Sequence, residues 1–146
     1  MQQKASSLLF LQYLTTVFDN LEDAILLIGV EPGGHYRMLL ANGSFTRSTG
    51  FIEENVGQLV EDILKPDAYA HLSEHYRQVI DTKKTVEYTD WFDVLPGRTA
   101  YQIKLIPILS AVGECVQIAA ICTNVTELLN LRAELKAKTE ALAKIG

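Results

Sequence analysis

Between Cys115 and Cys122 apolar residues occupy both alternating sets, Val116, Ile118, Ala120 and Cys122 on one and Cys115, Ala119 and Ile121 on the other. That pattern predicts a strand covered on both faces, which belongs in the middle of a sheet. Asn124 follows with a side-chain acceptor suited to cap a helix, and Glu127 stands where it can reach back, approximating a capping box. In the helix so started, Leu128, Leu135 and Leu142 recur at heptad spacing, with Leu131 and Ile145 three residues after the first and third and Lys138 interrupting. A coiled-coil seam is therefore expected. The strand enters the helix almost without a loop, so movement of one reaches the other. The heptads still run at Gly146, and the helix is expected to lead into a further segment.

Upstream, Ser6 or Ser7 can cap a first helix with Leu11, Leu14, Phe18 and Leu21 on one stripe and Phe10 and Val17 widening it. A helix this apolar must cover its own sheet or a second copy. Ala24 to Val30 is a continuous apolar strand, Glu31 to Gly34 is turn chemistry, and Tyr36 to Ala41 returns, predicting a hairpin. Asn42 caps a short helix ending at Gly50, and Glu53 to Leu64 predicts another before Lys65-Pro66. Asp67 to Thr82 is the longest internal helix, with Tyr69, Leu72, Tyr76, Val79 and Ile80 on its apolar stripe. Thr85 to Leu95 alternates as a strand that turns inward Val86, Tyr88, Phe92 and Val94, together with the polar Asp90. Pro96-Gly97 then turns into Ala100 to Ile108, where Tyr101, Ile103 and Leu105 share a face. Two strands, then helices, then three antiparallel strands give an α+β domain with the helices on one face of the sheet.

Composition narrows the partners. With 146 residues, 48% hydrophobic and 21% charged, the chain supports one domain with a modest core. A net charge of −5 argues against nucleic-acid or anionic-membrane surfaces, which need a concentrated basic patch. The two cysteines would lie about 23 Å apart on opposite faces of the last strand, too far to bridge. Free thiols and no recognisable signal peptide point to the cytoplasm, and no segment is long enough to span a bilayer.

Asn42-Gly43-Ser44-Phe45 followed by Thr49-Gly50-Phe51 resembles the N-x-x-F…T-G-[YF] signature of PAS sensory domains, and Asn124-Val125-Thr126-Glu127 resembles the D-I-T-E junction that closes many of them. Asn124 stands for the usual Asp, the stretch Phe51 to Gly57 is a residue shorter than the common pattern, and Ile52 replaces the usual capping Ser. The resemblance implies a PAS domain over residues 22–124, an N-terminal flanking helix over 1–21 and a signalling linker helix over 125–146. It implies a sheet in the order second, first, fifth, fourth, third strand, with helices forming a pocket over the inner face. It further implies a sensor that binds a small ligand or cofactor there, or only dimerises, and passes a change to an output domain such as a histidine kinase or diguanylate cyclase. The residues expected to face the pocket are Phe45, His75, Tyr76, Tyr88, Asp90, Tyr101 and Cys122. Those expected at a dimer interface are Leu11, Leu14, Phe18, Leu21 and Trp91. The relay is expected at Asn124, Thr126, Glu127, Leu128 and Leu135.

The cofactor stays unnamed. The family's flavin-binding light sensors carry G-x-N-C-R-F-L-Q, and Gly57 to Leu64 occupies that place here. Val60 has no thiol and Glu61 would repel a phosphate, which disfavours cysteine-adduct photochemistry. Cys122 reads as core, because apolar burial raises a thiol's pKa. Haem-binding members use a His of the long helix; of the two there, His75 lies at the edge of the apolar stripe and His71 outside it. His71-Leu72-Ser73-Glu74-His75 also matches the H-x-x-E-H pattern of one zinc protease class, but no downstream Glu ligand in a second half-domain is visible. Asp90 on an inward-reading face needs a partner or a way out to water, and Trp91 on the opposite face needs cover.

Overall fold

The computed structural model describes residues 2–49, 53–94 and 97–145. Gly50, Phe51 and Ile52 of the expected motif, and Leu95 and Pro96 of the expected turn, lie outside the described residues. The elements run α1 (Gln2–Asn20), β1 (Ala24–Glu31), β2 (His35–Ala41), α2 (Gly43–Thr49), a 3-10 turn (Glu53–Asn55), α3 (Val60–Ile63), α4 (Pro66–Thr82), β3 (Val86–Val94), β4 (Gly97–Leu109), β5 (Cys115–Asn124) and α5 (Thr126–Ile145). The five strands form one sheet in the order β2-β1-β5-β4-β3, every neighbouring pair antiparallel. The order is the expected one, with the last strand of the chain at the centre.

One face of the sheet carries the core. Leu26 and Ile28 of β1, Ile103 and Leu105 of β4 and Ile118 and Ala120 of β5 pack with Phe45, Val60, Tyr76 and Val79 from the helices. Period-two alternation puts these strand residues on a common side, and the i, i+4, i+7 spacing of Leu72, Tyr76 and Val79 turns one stripe of α4 onto them. Pro66 sits in the first turn of α4, where its missing N–H costs nothing, and Lys83 ends the helix in the left-handed region at φ 56° with its amide donating to the Val79 carbonyl.

Three expectations are corrected. Helix α1 begins at Gln2, so Ser6 and Ser7 lie inside it and do not cap it. The stretch 53–64 is not one short helix: the Gly57 amide donates to the Met38 carbonyl and the Met38 amide to the Gln58 carbonyl, so its middle pairs with β2. Gly57 takes φ +95°, a conformation glycine adopts without strain. In β5 the pairing passes from Ile108↔Gln117 to Leu109↔Cys115, leaving Val116 as an extra residue. That bulge reverses the alternation, so Cys115 is buried in the core and Val116 is exposed. The outward set is also less covered than its composition suggested, since Ala119 and Ile121 are only half-buried.

Candidate functional site

The core packing leaves a cavity of about 290 Å³ between the inner sheet face and the helices. Ala24 and Leu26 of β1, Met38 of β2 and Ala120 and Cys122 of β5 form its floor. Phe45 of α2, Val60 of α3 and Leu72 and Tyr76 of α4 form the opposite wall, and Phe92 and Tyr101 close one side. Small side chains at Ala24 and Ala120, on neighbouring central strands, account for much of the space.

Of the residues predicted to face a pocket, Phe45, Tyr76, Tyr101 and Cys122 line this one. His75, Tyr88 and Asp90 are not on its wall; they form a polar cluster between α4 and β3. His71 Nε2 lies 2.7 Å from Asp90 Oδ2, while Asp90 Oδ1 accepts the Trp91 amide at 2.9 Å. Asp90 thereby has the partner that its inward position required. The His75 ring stacks on Tyr88 at 3.6 Å with the planes 4° apart, and the His71 ring meets it edge-on at 5.1 Å. Desolvation lowers the pKa of His75, and the positive field of His71 adds to it. The two imidazoles are thus turned to Asp90 and Tyr88. Among the described residues no three His, Cys, Asp or Glu side chains converge as metal ligands.

Sequence reasoning missed several wall residues. Val60 stands where the light sensors carry their thiol, and Leu72 belongs to the α4 stripe, so both had a signal. Met38 and Ala120 are placed only by strand register. The thiol that does line the cavity is pushed up to about 12 by burial, so Cys122 stays protonated near neutrality. Burial likewise raises Tyr76 and Tyr88, keeping both phenols neutral.

Two polar junctions frame the cavity. Asn42 is fully buried: its Oδ1 accepts from the amides of Ile25 and Phe45, and its Nδ2 donates to the carbonyls of Phe18 and Asp23. It caps α2 as expected, and it also ties the end of α1 to β1. At the exit, Asn124 Oδ1 accepts both the amide of Thr126, at 3.0 Å, and its hydroxyl, at 2.7 Å. Thr126 Oγ1 in turn accepts the Ala100 amide at 2.8 Å, while the Val125 amide donates to the Ala100 carbonyl at 2.9 Å. Among the described residues the capping partner of Asn124 is therefore Thr126, not Glu127. Beyond this junction no residue of α5 is buried, and Leu128 and Leu135 are exposed.

The expected interface residues are at the surface. Leu11, Leu14 and Leu21 are exposed and Phe18 is half-buried, with α1 resting on α2. Trp91 is 37% exposed on the outer sheet face, under the Arg98 guanidinium at 5.1 Å.

A family model described as the PAS fold matches residues 18–130. The chain belongs to the PAS family. As a PAS domain it is a module of the sensory and signalling class, and no helix among its described residues is long and apolar enough to cross a membrane. An RNA-binding Light-Oxygen-Voltage receptor is 22% identical with a TM-score of 0.66; the match covers 95% of this chain, which spans only 38% of that receptor. The PAS domain of a protein from Colwellia psychrerythraea is 17% identical over 81% of this chain and 98% of its own, with a TM-score of 0.61. A sensory box sensor histidine kinase from Vibrio cholerae is 17% identical over 86% of this chain and 98% of its own, with a TM-score of 0.57. At these identities the structural likeness establishes the fold alone. No curated protein matches the chain.

Proposed function

We propose that this PAS domain is a cytoplasmic ligand sensor, holding a small molecule in the cavity over its inner sheet face and passing the change through α5 to an output domain such as a histidine kinase or diguanylate cyclase. The observation that carries the reading is a single strand serving both ends: β5 supplies Ala120 and Cys122 to the cavity floor and runs into the Asn124–Thr126 junction from which α5 departs. A ligand that moves the floor acts on the base of α5 across a few residues. In this reading residues 22–124 are the sensing unit, 1–21 and 125–146 are flanking and linker helices, and a homodimer forms through Leu11, Leu14, Phe18, Leu21 and Trp91. The relay residues are Asn124, Thr126, Glu127, Leu128 and Leu135.

The test is native mass spectrometry of the protein as purified, set against its denatured mass. The expected outcome is a dimer carrying extra mass that denaturation releases. A dimer at the bare chain mass would count against ligand sensing and in favour of a ligand-free dimerisation and relay module.

A further inference from the structure

The walls of the cavity constrain what can enter it. Among the described residues no lining side chain is charged, the lining surface is almost wholly apolar, and the lining side chains that carry a polar atom, apart from the soft sulfur of Met38, are Tyr76, Tyr101 and Cys122. Of the carboxylates near it, Asp90 is held by His71, and Asp23, whose field reaches the Cys122 thiol, is not on the wall. A carboxylate or phosphate placed here would lose its water without gaining a cation, and an ammonium would lose its water without gaining an anion. Water fares little better, because it needs two or more polar partners to be held inside a protein. Apolar matter has no such penalty, and filling a void restores the dispersion contacts its lining lacks.

Size gives a second bound. An apolar cavity of roughly 150 Å³ takes up benzene; at about 290 Å³ this one has room for about twice that. Phe92 both lines the cavity and is 38% exposed, which places it at the mouth.

From this composition and volume we infer that the occupant is a neutral, lipophilic molecule of roughly ten to twelve non-hydrogen atoms, carrying at most one uncharged polar end group that a tyrosine hydroxyl can meet. The inference rests on the sensing reading above and names the chemical class of its ligand. It excludes dicarboxylates, nucleotides, phosphate-bearing flavins and haem with its propionates, each of which brings charge or bulk that this wall does not accommodate.

The test uses three chains of matched length at pH 7.5 below their micelle-forming concentrations: decan-1-ol, decanoate and decylammonium, titrated into the whole protein by calorimetry with thermal unfolding in parallel. Decan-1-ol is expected to bind and raise the melting temperature, and to bind about tenfold or more tightly than either ion. Ala120→Leu, which fills the floor, is expected to abolish that binding while leaving the protein folded. Leu72→Phe fills the same space from the helix side and serves if the first variant does not fold. Either ion binding as tightly as the alcohol overturns the inference, as does undiminished alcohol binding in a folded filled variant. If none of the three binds while the purified protein retains a polar ligand by native mass spectrometry, the ligand class is wrong and the sensing reading survives. If none binds and the purified protein has the bare chain mass, both fall.

Discussion

Asn42 concentrates several functions of the chain in one amide. With no solvent exposure it satisfies two backbone amides and two carbonyls that belong to β1, α2, the end of α1 and the turn between α1 and β1. Asn42→Ala would take the Asn42 amide away from four buried or part-buried backbone groups. Each orphaned group costs on the order of 1–3 kcal/mol, partly recovered where water can enter. Urea unfolding is expected to register a loss of about 3 kcal/mol or more, whereas a loss near that of an ordinary exposed cap, about 1 kcal/mol, would contradict this account. The sequence pattern identified Asn42 as the start of α2, because a cap is a local feature. Its bonds to Phe18 and Asp23 depend on how α1 returns to the sheet, and no periodicity carries that. Asp90 was legible in the same limited way. Its inward register demanded a partner, but only the placement of α4 across β3 identifies that partner as His71.

Among the elements, the passage from β5 to α5 is where sensing would become output. Thr126 Oγ1 accepts the Ala100 amide and donates to Asn124, so one hydroxyl joins the start of α5 to β4. Thr126→Val keeps the shape and removes both bonds, leaving the Ala100 amide without its acceptor. The expected result is about 1–2 kcal/mol of lost stability in urea, with faster amide hydrogen exchange at Ala100 and through the first turn of α5. Unchanged exchange at Ala100 would remove Thr126 from the relay. Strand and helix existence was largely legible here, since β1, β5 and α4 have long apolar patterns that local periodicity reports. What was not legible is where tertiary hydrogen bonding overrides it. The middle of 53–64 gives its backbone groups to β2, and the extra residue Val116 shifts Cys115 into the core. Neither event leaves a mark in the hydrophobic pattern. The cavity was legible only through aromatic and thiol positions, because an empty space is made by what is small, Ala24 and Ala120, and small residues carry no periodic signal.

For the whole molecule, the unresolved demand is apolar surface. Leu8, Phe10, Leu11, Leu14 and Val17 of α1 are each 48–63% exposed, and on the outer sheet face Leu40 and Trp91 are exposed beside half-buried Leu27, Ile106 and Ile121. Such a surface on one chain calls for a second protein surface. In the proposed homodimer, Leu14→Lys would bury an ammonium in an apolar seam. Sedimentation velocity is expected to find a dimer for the parent protein and association weakened by about a hundredfold for the variant. A parent protein that sediments as a monomer would remove α1 from any self-association.

The strand order has a further consequence, in the making of the molecule rather than in its use. The central strand is the last to be synthesised, and Ala24 pairs with Cys122 across almost the whole domain. Until β5 emerges, the β1–β2 hairpin and the β3–β4 hairpin have no neighbour in common, and the apolar edge of β1 stays open. Long-range pairing of this kind slows folding and prolongs the exposure of strand edges. The strand proposed to carry a signal out of the domain is therefore also the one whose arrival turns two separate hairpins into a single sheet.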